Sequence, residues 1–171
     1  MLSEIPDHLD YGLQVIFVGF NPSIRSAETG HHYANPRNNF WRILHSSGLT
    51  PRLYHAYEDG ELLKLGFGFT NIVARPTRGI DELSRSDYEE GRHYLTQKLE
   101  KYRPKVVCFV GKGVYTAYSF RKKADWGFQT EPLREHIQEF VAPSSSGLVR
   151  MRMEQIVGIY HELASTLLWQ E

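Results

Sequence analysis

The chain has 171 residues, of which 41% are hydrophobic and 23% are charged, and this balance is typical of one globular domain with a real core. Lysine plus arginine and aspartate plus glutamate both number 20, so the net charge is zero and indicates no particular partner. The one cysteine, Cys108, excludes an internal disulfide and a cysteine-ligated iron–sulfur cluster, and its apolar neighbours predict a buried side chain.

The first predicted element is a buried strand that stops at Gly19. Four apolar residues, all β-branched or aromatic, run from Val15 into Gly19-Phe20-Asn21-Pro22, which places Asn21 in the loop after the strand. Ligands of open α/β sheets bind at the carboxyl ends of the strands. The Asn21 amide can donate and accept hydrogen bonds but cannot ionise. Asn-Pro is also ordinary turn chemistry, so this motif alone indicates only the end of a strand.

Helices and strands alternate along the rest of the chain. After a loop at 26–33, the sequence predicts a helix from Asn35-Pro36 to Gly48, a short helix at 61–65, a strand at 67–73, a helix with a capping box at 86–89, a strand at 105–110, a helix after Gly111, a strand at 137–141 and a final helix from Met153. This order implies a parallel sheet covered on both faces. We therefore predict a single three-layer α/β/α domain over residues 1–171, with a short, mainly parallel central sheet.

The ends and the apolar runs of the sequence bear on location. The opening residues contain neither a basic segment nor an apolar core of a secretory signal. No apolar stretch is long enough to cross a bilayer. We therefore expect a soluble intracellular protein that has no membrane partner.

The basic residues are unevenly distributed, although the chain is neutral overall. Many follow the predicted strands or form one short run: Arg25, Arg37, Arg42, Arg75, Arg78, Arg85, Arg121, Lys122, Lys123, Arg150 and Arg152. A neutral protein can still present a positive face to phosphates, but for any one of these clusters a solvated surface is the better explanation.

Three loops at the carboxyl ends of predicted strands should meet at one edge of the sheet. They carry Asn21, then Asn71 with Thr77, and finally the segment 144–150. Together with the ring of Tyr33, these amides and hydroxyls suit a planar, neutral ligand such as a nucleobase.

Two further residue types in these loops allow more than one interpretation. His31 and His32 could ligate a metal, but no third ligand is evident, so we expect supporting donors and no metal or cofactor. Leu148 suits either an apolar wedge that enters a base stack or a core residue at the start of the last helix.

These motifs resemble the mismatch-specific uracil/thymine DNA glycosylases of the uracil-DNA glycosylase superfamily. Gly19-Phe20-Asn21-Pro22 resembles that family's Gly-Ile-Asn-Pro-Gly motif, and 30–33 with 39–41 resembles its next segment. Residues 68–73 and 143–146 resemble the thymine-DNA glycosylase branch, whereas 147–150 resembles the bacterial mismatch-uracil enzymes. Four motifs in the family's order are far more specific than any one of them, and the likeness covers most of the chain.

The resemblance implies a monofunctional glycosylase that flips uracil, and in some substrates thymine, opposite guanine out of double-stranded DNA and leaves an abasic site. Asn21 would hold the attacking water with help from Thr77, and Tyr33 would stack on the flipped base. The other residues implied in base binding are Phe20, Ser23, His32 and Asn71. The residues implied in DNA binding are Ser144, Ser145, Ser146, Gly147, Leu148 and Arg150. A monomer that starts base excision repair in the bacterial cytoplasm, or in a eukaryotic nucleus, is the expectation.

One departure from the family's pattern keeps other functions open. Ser23 stands where the family has a glycine, so a side chain lies where a backbone N–H should face the base. A glycosylase that prefers hypoxanthine or xanthine is therefore an alternative. The rivals from other classes are a non-catalytic module that binds mismatched DNA and an α/β enzyme that acts on a nucleoside or nucleotide. Asn21 and Thr77 argue against the first rival, and the loop at 144–150, which carries the candidate wedge Leu148, argues against the second.

Overall fold

The computed structural model describes residues 3–167 of the chain. Its strands are β1 (Val15–Gly19), β2 (Phe67–Asn71), β3 (Val106–Val110), β4 (Gly127–Phe128) and β5 (Gln138–Ala142). Its α helices are α1 (Ile24–Thr29), α2 (Phe40–Ser46), α3 (Arg85–Tyr102), α4 (Lys112–Ser119) and α5 (Met153–Leu167), and 3₁₀ helices span Ala56–Leu65 and Ile80–Glu82. None of these helices is both long and apolar enough to cross a membrane.

The strands form one sheet in the order β2-β1-β3-β5-β4. The first four are mutually parallel, and β4 pairs with β5 in the antiparallel sense. The predicted α/β fold with a mainly parallel sheet is therefore confirmed. Because β1, β2 and β5 run the same way, the loops that follow them leave the same edge of the sheet, where the polar residues of the sequence were expected to meet.

The two faces of the sheet pack against different helices because successive side chains of a strand point to opposite faces. Val15 and Phe17 belong to the core shared with α2 and α5. Ile16 and Val18 belong to the core shared with α3 and α4. Cys108 is completely buried, as predicted. The continuous apolar run of β1 follows from this burial on both faces, which is characteristic of parallel strands.

Two α helices begin at positions other than those predicted, and the short helix predicted at 61–65 is a 3₁₀ helix that already begins at Ala56. The turn at 35–38 does not continue into a helix, because Asn35 accepts from Arg37 N–H (2.9 Å) and α2 begins only at Phe40. The capping box of α3 is formed by Ser84 and Asp87 rather than starting at Ser86. Asp87 Oδ2 accepts from Ser84 N–H at 2.8 Å, so the Ser-x-x-Asp spacing is satisfied two residues earlier.

The 3₁₀ helix Ile80–Glu82 was not predicted, and nor were two further elements, α1 and β4. Helix α1 replaces an expected loop and is held by a serine N-cap at Ser23 and a left-handed glycine at Gly30. Strand β4 has only two residues, which is too short to produce an alternating pattern. Both elements are set by local capping or by pairing with β5 rather than by hydrophobic periodicity.

Candidate active site

Asn21 lies directly after β1, and its amide group is held in one orientation. Nδ2 donates to the backbone oxygen of Arg75 at 2.7 Å and to Thr77 Oγ1 at 2.8 Å. A backbone carbonyl can only accept, so the nitrogen side of the amide must face Arg75. Both amide protons are thus engaged, and Oδ1 has no hydrogen-bond partner among residues 3–167. The free acceptor is what a positioned water requires.

Thr77 supports this arrangement from a buried position. Only 4% of its surface is exposed. Its hydroxyl accepts from Asn21 and donates to the backbone oxygen of Gly79 at 2.8 Å. Its backbone N–H donates to the oxygen of Pro22 at 3.2 Å. The hydroxyl proton is therefore committed within the protein, and the direct effect of Thr77 here is to orient Asn21.

The loop that contains Arg75 and Thr77, which both accept from Asn21, is held by an ion pair between Arg75 and Asp87. The Arg75 guanidinium donates to Asp87 Oδ2 at 2.9 Å and to the backbone oxygen of Glu82 at 2.9 Å. The hydrogen bond from Arg75, together with those from Ser84, holds the pKa of Asp87 well below its usual range. Because the backbone carbonyl of Arg75 also accepts from Asn21, the ion pair of the Arg75 side chain holds in place the segment that orients Asn21.

Asn71 and Tyr33 converge on Gly19. Asn71 is paired with Gly19 in the β1–β2 register. A Cβ atom added to Gly19 would lie 2.7 Å from Asn71 Oδ1 and 3.0 Å from the Tyr33 hydroxyl. Glycine is therefore required by the close approach of these two groups. The three residues place an amide, a phenol and a bare stretch of backbone beside the loop that carries Asn21.

The Tyr33 ring is firmly placed. It stacks on Phe40 with centroids 3.8 Å apart and planes 13° apart, and its backbone has a left-handed φ of +51°. Its hydroxyl is buried and has no hydrogen-bond partner among the described residues. Burial raises the pKa of Tyr33 far above its usual value, so the hydroxyl stays neutral. One face of the ring is occupied by Phe40, so a ligand that stacks on Tyr33 would have to use the other face.

Phe20 and Ser23, which the resemblance implied in base binding, have other contacts here. The Phe20 ring belongs to the α3–α4 side of the sheet, whereas Tyr33 packs on the opposite side. Adding a Cβ atom to Gly113 would bring it within 2.5 Å of that ring. Ser23 Oγ accepts from Ser26 N–H at 3.0 Å as the N-cap of α1. The side chain that replaces the family's glycine is thus explained by capping.

His32 is buried, and its contacts are internal. Only 2% of its surface is exposed, its Nε2 lies 2.9 Å from the backbone oxygen of Pro6, and its ring lies against Phe69. Burial lowers the pKa of His32, so the imidazole is neutral. The structure therefore places the His32 ring in the core and leaves its backbone beside Tyr33.

The structure also shows a partner for the histidines that the sequence did not reveal. The buried carboxylate of Asp59 accepts from His31 Nδ1 at 3.0 Å and from His32 N–H at 2.8 Å, and His8 Nε2 lies 3.2 Å away. One donor atom each from His8, His32 and Asp59 falls within 4.8 Å of the others. Asp59 sits in a run of acidic residues that looks like a solvated surface, so no local signal predicted its burial.

The predicted wedge loop at 144–150 lies at the same edge of the sheet. Leu148 is 92% exposed, which excludes it from the core of the free protein. The loop is shaped by its own serines, because Ser146 N–H donates to Ser144 Oγ and Leu148 N–H donates to Ser146 Oγ, both at 3.2 Å. Ser145 is buried, so any phosphate contact by a serine side chain falls to Ser144 or Ser146.

The wedge loop is packed against the turn before α2. Asn39 N–H donates to the backbone oxygen of Ser145 at 2.8 Å. A Cβ atom on Gly147 would lie 2.6 Å from the backbone oxygen of Arg37, so the absent side chain permits this contact. Arg37 and Arg150 are exposed. The tip of the loop therefore combines an apolar side chain with neighbouring cations.

Comparison with known proteins identifies the family of this chain. A sequence profile described as the Uracil DNA glycosylase superfamily matches residues 6–164. The solution NMR structure of a Methanosarcina acetivorans protein, provisionally assigned as a uracil DNA glycosylase, is similar to this chain with a TM-score of 0.58. The two sequences are 19% identical, and the alignment covers 94% of this chain and 97% of that one. The structural likeness shows a shared fold, and the profile match spans the site.

Proposed function

This chain belongs to the uracil DNA glycosylase superfamily and has a DNA glycosylase role, and we propose that it is a monofunctional, monomeric enzyme that removes uracil opposite guanine from double-stranded DNA. The reaction replaces the bond between the base and sugar C1′ with a bond to water. It leaves an abasic site and releases the free base.

The observation that carries this proposal is the fixed amide of Asn21. With Nδ2 bound to Arg75 and Thr77, Oδ1 is free to accept a hydrogen bond from water and to aim that water at C1′. Asn21 cannot take the proton as a strong base would. A sugar that develops oxocarbenium character is a strong electrophile, so positioning a neutral water supplies much of what the reaction needs.

The neighbouring groups suit a base that leaves as an anion. Asn71 and the neutral Tyr33 hydroxyl lie together against Gly19, beside the loop that carries Asn21. Fixed donors near the leaving base stabilise the charge that develops on it. The face of the Tyr33 ring opposite Phe40 is the one that would stack on the flipped base.

The exposed Leu148 supports action on duplex rather than on free nucleosides. Flipping a base leaves a gap in the stack, and an inserted apolar side chain offsets the cost of unstacking. The exposed arginines beside the loop would contact phosphates, which position a protein on DNA without reading its sequence.

The test uses labelled duplexes that contain uracil:guanine, thymine:guanine, hypoxanthine:thymine or uracil:adenine pairs, incubated with enzyme and then cleaved with alkali at abasic sites. We expect strand breaks first at uracil:guanine. Asn21→Ala should lower the single-turnover rate by about 100-fold or more while binding to the mismatch persists. Preferential cleavage at hypoxanthine would identify hypoxanthine, not uracil, as the substrate. Tight binding to the mismatch without cleavage by the wild type would identify a binding module.

A further inference from the structure

Asp59 is a buried carboxylate whose two oxygens both accept hydrogen bonds, although it does not belong to the loop that carries Asn21. It is 2% exposed. Oδ1 accepts from His31 Nδ1 at 3.0 Å and from Gly60 N–H at 2.8 Å, and Oδ2 accepts from His32 N–H at 2.8 Å. A buried charge is costly unless it is paired and hydrogen-bonded, and these donors satisfy it.

Two of the donors to Asp59 belong to His31 and His32, the residues immediately before Tyr33. On the other side of Tyr33, Ala34 N–H donates to Ser26 Oγ at 3.1 Å. The carbonyl of Tyr33 itself accepts from Trp41 Nε1 at 3.2 Å. The left-handed backbone of Tyr33, which a residue with a side chain rarely adopts, is therefore held from both directions.

We propose that Asp59 is a positioning residue that fixes the Tyr33 ring in the base site by binding His31 and His32. The inference rests on the proposed function, because Tyr33 is the base-stacking ring of that same site. Asp59, which would position this ring, lies 26 positions further along the chain. Its carboxylate fixes the backbone, the backbone fixes the ring, and Phe40 supports the ring from behind.

The charge state of Asp59 is consistent with this role. Burial alone would raise its pKa, but hydrogen bonds from His8, His32 and His31 bring the pKa to about 2. Asp59 is therefore ionised wherever a DNA repair enzyme operates. A hydrogen bond to an ionised acceptor is about twice as strong as a neutral one, which makes the carboxylate a firmer anchor than an amide.

The same cluster could be interpreted as a metal site, because donors of His8, His32 and Asp59 lie within 4.8 Å of one another. The contacts argue otherwise. Both carboxylate oxygens already accept N–H groups at 2.8–3.0 Å, which are ordinary hydrogen-bond distances, and a cation at the carboxylate would compete with these donors. Metal binding is therefore an outcome that would overturn the proposal.

The experiment is a double-mutant cycle measured on the uracil:guanine duplex. A misplacement of about 1 Å can cost about 100-fold in rate, so Asp59→Ala should slow single-turnover cleavage by roughly that factor. Asp59→Asn keeps one carbonyl oxygen and should lose about 10-fold. Tyr33→Ala removes the ring, and the double variant Asp59→Ala/Tyr33→Ala should be no slower than Tyr33→Ala alone, because Asp59 acts only through that ring.

The matched control is Asp7→Asn. Asp7 is a second carboxylate beside His8, but it pairs with Lys98 at 2.6 Å and accepts from Thr70 at 2.8 Å, and no hydrogen bond joins it to His31 or His32. This variant should retain nearly the wild-type rate. All rates are compared at a temperature where circular dichroism shows each variant folded, and Asp59→Asn replaces Asp59→Ala in the cycle if the alanine variant does not fold.

A second measurement does not depend on activity. Nuclear Overhauser effects between the rings of Tyr33 and Phe40 should disappear in the folded Asp59 variant and persist in Asp7→Asn. Additive losses of rate in the cycle, or persistence of these effects in that Asp59 variant, would overturn the role of Asp59. A chelator that reproduces the Asp59→Ala loss of rate in the wild type, with recovery on adding zinc, would also overturn it. If the wild type is inactive but the ring-to-ring effects still disappear in the Asp59 variant, only the proposed function is rejected.

Discussion

Replacing Leu148 with alanine separates a DNA wedge from a core residue. The side chain is 92% exposed, so almost no apolar surface of Leu148 is removed from water when the protein folds. Surface substitutions of this kind change stability by about 0.5 kcal/mol or less. A core leucine would cost about 2–5 kcal/mol. We therefore expect the melting temperature of Leu148→Ala to stay within about 2 °C of the wild type.

The effect on duplex DNA follows from the surface that the wedge would bury there. Leucine has three more carbon groups than alanine, and each is worth about 0.8 kcal/mol when fully buried. Allowing for incomplete burial in the stack, the loss is about 2 kcal/mol, or about 30-fold. The wedge is needed only where a flipped base leaves a gap, so uracil in single-stranded DNA should be cleaved by the variant nearly as fast as by the wild type.

The assay compares single-turnover rates of variant and wild type on uracil:guanine duplex and on the same strand unpaired. Leu133→Ala is the control, because it makes the same truncation at an exposed leucine before β5, and it should leave both rates unchanged. Equal losses of the Leu148 variant on duplex and single strand would refute the wedge. A fall of several degrees in melting temperature would place the side chain in the core.

Three further perturbations test the surroundings of the site. Gly19→Ala puts a methyl group 2.7 Å from Asn71 Oδ1, and overpacking of this kind costs about 1–3 kcal/mol of stability. The rate of cleavage should fall by more than the loss of folded protein explains. A normal rate would show that cleavage does not depend on the close packing at Gly19. Arg37→Gln should weaken binding to undamaged duplex and reduce the slope of log K against log salt by about 1; an unchanged slope would remove Arg37 from the DNA face. The Asp59 carboxylate, 3.2 Å from His8 Nε2, raises the pKa of His8 against the opposing effect of burial. The stability that His8 contributes is therefore full below pH 6.5 and is lost as the pH rises through its folded-state value. The difference in unfolding free energy between wild type and His8→Gln, measured by urea denaturation, should therefore shrink with rising pH, and a constant difference would contradict it.

The sequence by itself determined the fold class and the place of the site. A doubly buried strand needs a continuous apolar run, and a parallel sheet needs helical crossovers, so the alternation of elements and the run before Gly19 were sufficient. Asn21 follows β1 and Asn71 ends β2, and because these two strands run the same way both residues lie at one edge of the sheet. These features are carried by local patterns whose period is set by backbone geometry.

Sequence period could also have placed Phe20 correctly, because Gly19 and Phe20 are consecutive and must face opposite sides of the sheet. The motif resemblance assigned Phe20 to the base without using this period, whereas its ring packs on the α3–α4 side of the sheet. The start of α2 and the capping box of α3 were misplaced because closely spaced asparagines or serines offer alternative helix starts. At α3 the completed hydrogen bonds select Ser84, whereas Asn39 precedes α2 without a side-chain capping bond.

The tertiary structure decided how each side chain is used. The orientation of the Asn21 amide depends on Arg75 and Thr77, which lie 54 and 56 positions away, and the burial of Asp59 depends on His31 and His32 in an earlier loop. An acidic residue on the surface and a buried carboxylate such as that of Asp59 look the same in the sequence. Contacts between distant segments are fixed only when the whole chain packs, because a polar group takes its role from the partners that remove it from water.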